Sequence, residues 1–371
     1  MNTFTISSRE LFSKCEKLAR VLNSKNSLPA LDNFLFSVEG GVMRISTSDT
    51  ENFATGILEV GECDASFEFG LNARTFVSAL KELPEQPIFV TVADSGCTIK
   101  YANGQFNLPI SDVNEYPKFP AMKDTADLTI SVETLKRILS KAPAFAGQDE
   151  LRPIMNGICF CYDNQKLEAV ASDGHGLIKL TESCTHQDKG LFVMSTKSAK
   201  LTELFMANDE ETVTIAHNAT HYYIKFASFE LTSRLVEGRY PNYNSVIPQD
   251  YTDNFELDRK ELVSIVRRVG VFANSASQLL KFSINGMSLD ISGEDMDFSH
   301  KAEASMLIDK TGRDLAIGLK GPIVQTILSA FSDEKLKMFY KDASRAVIFR
   351  AVDEAEDHSQ MILLMPMMLN E

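Results

Sequence analysis

FTISSREL at 4–11, LTISVETL at 128–135 and FELDRKEL at 255–262 are three versions of one octapeptide, and their spacing decides how the chain is read. The copies are offset by 124 and then 127 residues, and each is a short alternating run that leads into a helix. A self-similarity repeated three times implies three domains of one kind. A Ser or Asp stands where the first helical turn leaves its N–H groups without partners: Ser7 or Ser8 in the first copy, Ser131 in the second and Asp258 in the third. Downstream, Leu11, Cys15, Leu18 and Leu22 share one helical face, as do Leu135, Ile138, Leu139 and Ala142, and Leu262, Ile265, Val266 and Val269.

Working outward, each first helix precedes two alternating apolar runs joined by turn residues: FLFSV and VMRIS across Gly40 and Gly41, ICFCY and KLEAV across Asp163 and Asn164, LKFSI and MSLDI across Asn285 and Gly286. These are hairpins. A second strand and helix then open in every unit, at FEFGLNARTFVSALKEL, LFVMSTKSAKLTELF and LAIGLKGPIVQTILSAF, and more strands follow. The first two units close alike, with EYPKFP at 115–120 and RYPNYNSVIP at 239–248. The sequence therefore predicts an α+β protein of three similar domains, 1–122, 123–249 and 250–371, each built from two strand-helix-strands units. A length of 371 residues with 44% apolar content agrees with more than one core.

A formal charge of −14 argues at first against nucleic acid, since phosphates need Lys and Arg. The helices answer that objection. Each of the six carries a net positive charge, together +9, which leaves −23 for the rest of the chain. Any one basic helix is ordinarily a solvated face, but six of six describe a cationic surface within an acidic protein. The cations in question are Arg9, Lys14, Lys17, Arg20, Lys81, Lys136, Arg137, Lys141, Lys197, Lys200, Arg267 and Arg268, and they suit sequence-independent contact with phosphates. The six Cys are scattered, and the N-terminus lacks the basic start and apolar run of a secretory signal, which predicts free thiols in a reducing cytoplasm. The longest nearly unbroken apolar stretch, MILLMPMML, falls well short of a membrane span.

SLPALDNFLF at 27–36, LRPIMNGICF with ASDGHGL at 151–160 and 171–177, LVEGRYPNYNSVIP, and the terminal ILLMPMML together resemble the bacterial beta sliding clamp family across the whole chain. The resemblance implies a non-catalytic, head-to-tail homodimer that encircles double-stranded DNA, with helices lining the inside of a ring and sheets outside. It also implies an apolar groove for short peptides of the replicative polymerase, the clamp loader, other DNA polymerases and repair proteins. The matching groove positions are Met155, Ser172, Gly174, His175, Leu177, Pro241, Val246, Ile323, Ser344, Ala346, Leu363, Leu364, Met365, Pro366 and Met367. Adaptable Met side chains suit a groove that takes several peptides.

The same resemblance places Arg74, Leu80, Phe106 and Leu108 on one side of the ring joint and Val271, Phe272, Glu294, Asp295 and Glu303 on the other, and adds Lys25 and Gln148 as loop contacts to DNA. The chain departs from the family pattern at Gly176 and Met368, where the family often has Arg, and runs two residues further, to Asn370 and Glu371. A less basic groove rim, favouring less acidic peptides, is the expectation.

Asp173 and His175 have no Ser or Cys nucleophile in a recognisable elbow nearby, and there is no Gly-x-x-x-x-Gly-Lys phosphate loop. His217 with His221, and Cys159 with Cys161, do not make four metal ligands. No catalytic residue, cofactor or metal is expected. The competing reading is a clamp-shaped peptide scaffold that does not enclose DNA.

Overall fold

The computed structural model describes every residue except 1, 27, 62, 64–65, 185–187, 208–209, 356–357 and 370–371. The chain packs as two compact units, 1–136 with 197–235 and 137–196 with 236–371. Each unit holds one large and one small antiparallel sheet.

In the first unit the large sheet has eight strands, in spatial order Phe67–Asn72, Asn33–Glu39, Val42–Ser48, Asn52–Glu59, Phe229–Arg234, His221–Phe226, Thr212–His217 and Ala126–Ser131. Its four-stranded sheet runs Asn2–Ser7, Pro87–Ala93, Gly96–Tyr101, Gly104–Leu108. The second unit repeats the plan with nine strands, Gly190–Ser195, Gly157–Asp163, Lys166–Ser172, Gly176–Ser183, His358–Leu364, Val347–Ala351, Lys335–Tyr340, Asp253–Asp258 and Asp309–Thr311. Its small sheet is His300–Leu307, Ser288–Asp295, Leu279–Asn285 and Leu315–Lys320. Three sequence repeats give two compact units because strands of the middle repeat are divided between the two large sheets. One hydrogen-bonded strand pair, Asn52–Gly56 with Phe229–Ser233, continues the sheet of the first unit from repeat to repeat, and Gly176–Glu182 with His358–Leu364 does so in the second.

The six helices are α1 (Ser8–Leu18), α2 (Ala73–Lys81), α3 (Val132–Lys141), α4 (Thr196–Phe205), α5 (Arg259–Gly270) and α6 (Gly321–Ala330). Four of their starts follow from short polar side chains. Ser7, not Ser8, caps α1 by accepting the Glu10 N–H, while Ser8 turns inward, buried, and donates to the Pro84 carbonyl. Asn72, Ser131 and Asp258 cap α2, α3 and α5 in the same way. The predicted apolar faces are buried throughout, except that α1 ends at Leu18 and leaves Leu22 half-buried beyond it. All three predicted hairpins form. Gly40 and Gly41 take φ of 57° and 80°, and Gly286 takes 56°, the left-handed region where a Cβ is costly.

Two of the cations expected to face DNA are instead engaged by buried carboxylates. Arg137 pairs with Glu182, whose side chain is buried, and Lys197 pairs with buried Asp49 while also donating to Asn23 Oδ1 at 2.7 Å. The reason lies in the strand turns. Asp49 Oδ1 accepts the N–H groups of Glu51 and Asn52 at 3.0 and 2.6 Å, its other oxygen accepts from Asn52 Nδ2, and Asn52 Oδ1 accepts from Ser233 Oγ at 2.8 Å. A carboxylate held this deep needs a cation. Asp49→Ala should therefore cost about 3 kcal/mol of stability, since it strands Lys197 and three other donors together. Urea unfolding checks this, and a loss of under about 0.5 kcal/mol would show the turn to be held by other means.

Candidate peptide groove and charged surfaces

An apolar cavity of the second unit, about 290 Å³, lies where three segments meet. The first is the turn between Lys166–Ser172 and Gly176–Ser183. Asp173 Oδ1 accepts the N–H groups of His175 and Gly176 at 2.8 and 2.7 Å, Ser172 Oγ donates to the Gly176 carbonyl, and Gly174 takes φ of 91°. The carboxylate thus shapes a turn, and Ser172, which lines the cavity with His175, has its hydroxyl committed to the same turn. The second segment is the end of the chain: Leu363 pairs with Leu177, and the Met365 N–H donates to the His175 carbonyl at 2.8 Å. The third is Tyr240–Val246, which ends in a single helical turn at Tyr243–Val246. The Tyr240 hydroxyl donates to the Val170 carbonyl at 3.4 Å, and the Tyr243 hydroxyl donates to Glu168 at 2.6 Å.

The structure brings together nine of the anticipated groove residues: Met155, Ser172, Gly174, His175, Leu177, Pro241, Val246, Leu363 and Met365. Others belong elsewhere. Ala346 lies beneath the groove in the buried cluster with Leu177, Tyr240 and Leu363. Leu364 is buried on the opposite strand face, and the exposed Ser344 donates to Asp342. Ile323 only approaches Gly176, while Met367, one residue beyond Pro366, exchanges backbone hydrogen bonds with Gly318, which starts a tail that leaves the groove. Asn370 and Glu371 lie outside the described residues. Gly176, expected at the groove rim, also lines the cavity, whereas sequence reading missed Tyr240, Asn242 and Tyr243, although the repeated Tyr-Pro at 116–117 and 240–241 was the available signal. The rim is not bare of cations either, because the Arg152 guanidinium lies beside Gly174 and pairs with Asp149 at 2.9 Å.

Of the anticipated ring-joint residues, Leu80 is only 2% exposed and Asp295 only 5%. Leu80 belongs to the core face of α2, and Asp295 accepts from Asn274 and from the Asp297 N–H, so neither can meet a partner. The rest are accessible to differing degrees. Phe106 and Leu108 are half-buried on the edge strand Gly104–Leu108, Glu294 and Glu303 are exposed, and Arg74 donates to the carbonyls of Asn23 and Ser24. Val271 is 78% exposed, and Met296, Phe298 and Leu307, which the sequence did not single out, are more than two-thirds exposed near the edge strand His300–Leu307.

The DNA-facing candidates separate into two groups. Arg9, Arg20, Lys25, Lys81, Lys136, Gln148, Lys200, Arg267 and Arg268 are exposed, and Arg9 pairs loosely with Glu85 at 3.2 Å. Lys14 and Lys17 lean over the Phe229 ring at 4.3 and 5.4 Å, and burial together with Lys17 lowers the Lys14 pKa. Lys141 donates to Gln360 at 2.6 Å and, with Arg267, enters a polar notch of about 530 Å³ beside Ser140, Gln325, Thr326 and Ser329. α6 itself has no charged residue, so its positive sum came from Lys320 at its cap.

His217 and His221 do flank a strand turn, and Cys159 and Cys161 do share a strand. Burial pushes the Cys159 and Cys97 thiols up to about 12. Among the described residues no cluster of three or more His, Cys, Asp or Glu is arranged to hold a metal, and no helix is long and apolar enough to cross a membrane.

Consecutive models of the DNA polymerase III beta subunit match this chain: the N-terminal domain over 2–120, the central domain over 129–242 and the C-terminal domain over 244–368. It is similar to the beta sliding clamp of Haemophilus influenzae, 24% identical over 99% of this chain and 100% of that protein, and to that of Escherichia coli, 21% identical with the same coverage. Among solved structures, a clamp from Pseudomonas aeruginosa superposes with a TM-score of 0.94 at 22% identity over 99% of this chain and 100% of that one. One from Thermotoga maritima gives 0.92 at 22% identity over the full length of both. The architecture is thus the three-domain DNA clamp fold, α+β in class. The chain belongs to the DNA polymerase III beta subunit family, the sliding clamps, and acts as a non-catalytic processivity factor rather than an enzyme.

One wall of the groove depends on a single carboxylate. Although burial opposes its charge, Glu168 is held down to about 2 by Lys166, Lys179 and the Tyr243 hydroxyl. A pKa depressed in the fold contributes stability that is complete above the ordinary value of 4.5 and lost as the pH falls from there toward 2. Glu168→Gln should therefore cost about 2 kcal/mol at pH 7, and the gap to the parent should close through that window. Urea midpoints measured across the window decide it, and a gap independent of pH would remove the role assigned to the carboxylate.

Proposed function

We propose that two copies of the chain close head to tail around duplex DNA and slide on it, and that the groove of the second unit tethers the replicative polymerase, the clamp loader, other DNA polymerases and repair proteins through short peptides. The domains that do this are 1–122, 123–249 and 250–371, working in the cytoplasm. The observation that carries the reading is the unbroken succession of three clamp-family domains along the chain. Two further observations support it. Each small sheet has an open edge, Gly104–Leu108 in one unit and His300–Leu307 in the other, and an open edge invites strand addition. Apolar Val271, Phe272, Phe298 and Leu307 stand exposed around the second of these, as expected of surface that a partner covers.

The DNA-facing role falls to the exposed cations, Arg9, Arg20, Lys25, Lys81, Lys136, Lys200, Arg267 and Arg268, with Gln148 in a loop. Arg137 and Lys197 serve the fold. Enclosure replaces affinity, so these contacts need only be weak and salt-sensitive.

The pair Val271→Asp and Phe272→Asp should shift the mass in solution from twice 41.2 kDa to 41.2 kDa and abolish retention on nicked circular DNA after loading with ATP and the loader. A variant that stays dimeric would move the joint elsewhere. In contrast, Val246→Asp or Met365→Asp should leave the dimer intact and weaken polymerase binding by about tenfold or more, read by surface plasmon resonance. Unchanged polymerase affinity in both would remove the groove from its role.

A further inference from the structure

The groove in the second unit has a counterpart in the first, built by the same residues of the preceding repeat. Subtracting the 124-residue repeat offset carries Asp173 to Asp49, Leu177 to Phe53, Tyr240 to Tyr116, Tyr243 to Phe119 and Val246 to Met122. The match extends to individual hydrogen bonds. Asp49 accepts from the N–H groups of Glu51 and Asn52 as Asp173 does from His175 and Gly176. The Tyr116 hydroxyl donates to the Ser46 carbonyl at 3.3 Å, the equivalent of Tyr240 to Val170, and the short helical turn Pro29–Asp32 corresponds to Pro153–Asn156. Strand pairing completes the frame, for Phe53 faces Thr232 where Leu177 faces Leu363.

The outcome is a cavity of about 280 Å³, close to the 290 Å³ of the other groove, with Phe53, Phe119, Met122 and Tyr223 on its walls. Phe119 is 38% exposed and its ring lies 5.3 Å from that of buried Phe53, so the outer part of the apolar wall stands open to water. Charge separates the two sites. Glu230 lines the first-unit cavity, at a position on its strand equivalent to apolar Met361. Arg44 and Lys225 form long ion pairs with it at 3.6 and 3.5 Å, and both of these cations are half or more exposed, so a Lys or Arg of a ligand can take their place on the carboxylate.

We propose that this cavity is a second docking groove, and that its occupant is an extended peptide with an aromatic or aliphatic anchor followed by Lys or Arg. The apolar walls hold the anchor, and Glu230 selects the basic residue that follows. The proposal rests on the reading of the second-unit groove as a peptide site, because the likeness between the two frames is what assigns the role.

The test uses the full-length protein with 13C-labelled methionine methyl groups, titrated with an acetylated heptapeptide containing Leu-Phe-Lys. The Met122 methyl should shift saturably, Phe119→Asp should weaken that shift at least tenfold, and Val246→Asp should leave it unchanged. Phe119 is exposed, so folding is not at stake, and Glu230→Gln gives a second check: binding of the Lys peptide should weaken several-fold while that of a Gln analogue stays constant. If Met365 responds and Met122 does not, the second groove is refuted and the first stands. If neither responds, the peptide reading of both frames fails. A Met122 shift that follows protein concentration without peptide would assign the surface to a second copy of the chain and overturn the proposal.

Discussion

Two strand pairings, Asn52–Gly56 with Phe229–Ser233 and Gly176–Glu182 with His358–Leu364, are what everything else in the structure hangs on. Each makes one continuous sheet out of strands from successive repeats, so a repeat boundary lies within a hydrogen-bonded surface instead of at a flexible linker. Antiparallel pairing fixes register because a slip of one residue would turn every inward side chain outward. The Asp turns at Asp49 and Asp173 enforce that register at the point where the paired strand begins. The same pairings bring distant segments side by side, which is how residues near 174, 241 and 364 come to line one groove.

Electrostatics follows from this frame. An acidic chain that must approach phosphates has to keep some Lys and Arg in water, yet the strand turns bury carboxylates that require cations of their own. The helices supply both. Lys197 and Arg137 are drawn inward to Asp49 and Glu182, whereas Arg9, Arg20, Lys136, Lys200, Arg267 and Arg268 remain exposed. The charge available to a polyanion is therefore smaller than the helix sums indicate. Salt sensitivity of DNA contact would be correspondingly modest, as suits a protein held by topology.

Much of this was legible in the sequence, because periodicity and turn chemistry are local. The octapeptides, the helix caps at Ser131 and Asp258, and the Gly40–Gly41 and Asn285–Gly286 turns all form as read. Burial at interfaces is not local. Leu80 and Asp295, expected at the ring joint, are buried in the protomer, where one completes a helix face and the other caps a turn at Asn274 and Asp297. Conversely, Met296, Phe298 and Leu307 look like ordinary core residues in a linear pattern, and only the position of the edge strand exposes them. Part of the groove was legible through resemblance, but Tyr243 was not, since its importance lies in a hydroxyl directed at Glu168, which is 75 residues away.

The repeat also separates what the backbone determines from what side chains determine. At a constant offset of 124 residues the two grooves share turn carboxylates, tyrosine anchors, helical turns and strand register, so the backbone frame is the same device used twice. Within that frame the strands differ, Leu363 on the wall and Met361 buried beneath it in one against Thr232 and Glu230, both on the wall, in the other. A buried methyl or methylene contributes about 1 kcal/mol, so replacing two apolar residues of one strand by a hydroxyl and a carboxylate changes the acceptable ligand while leaving the fold intact. What such a groove can accept therefore depends on a few side chains at the repeat boundaries, and the folded frame that presents them is the same in both units.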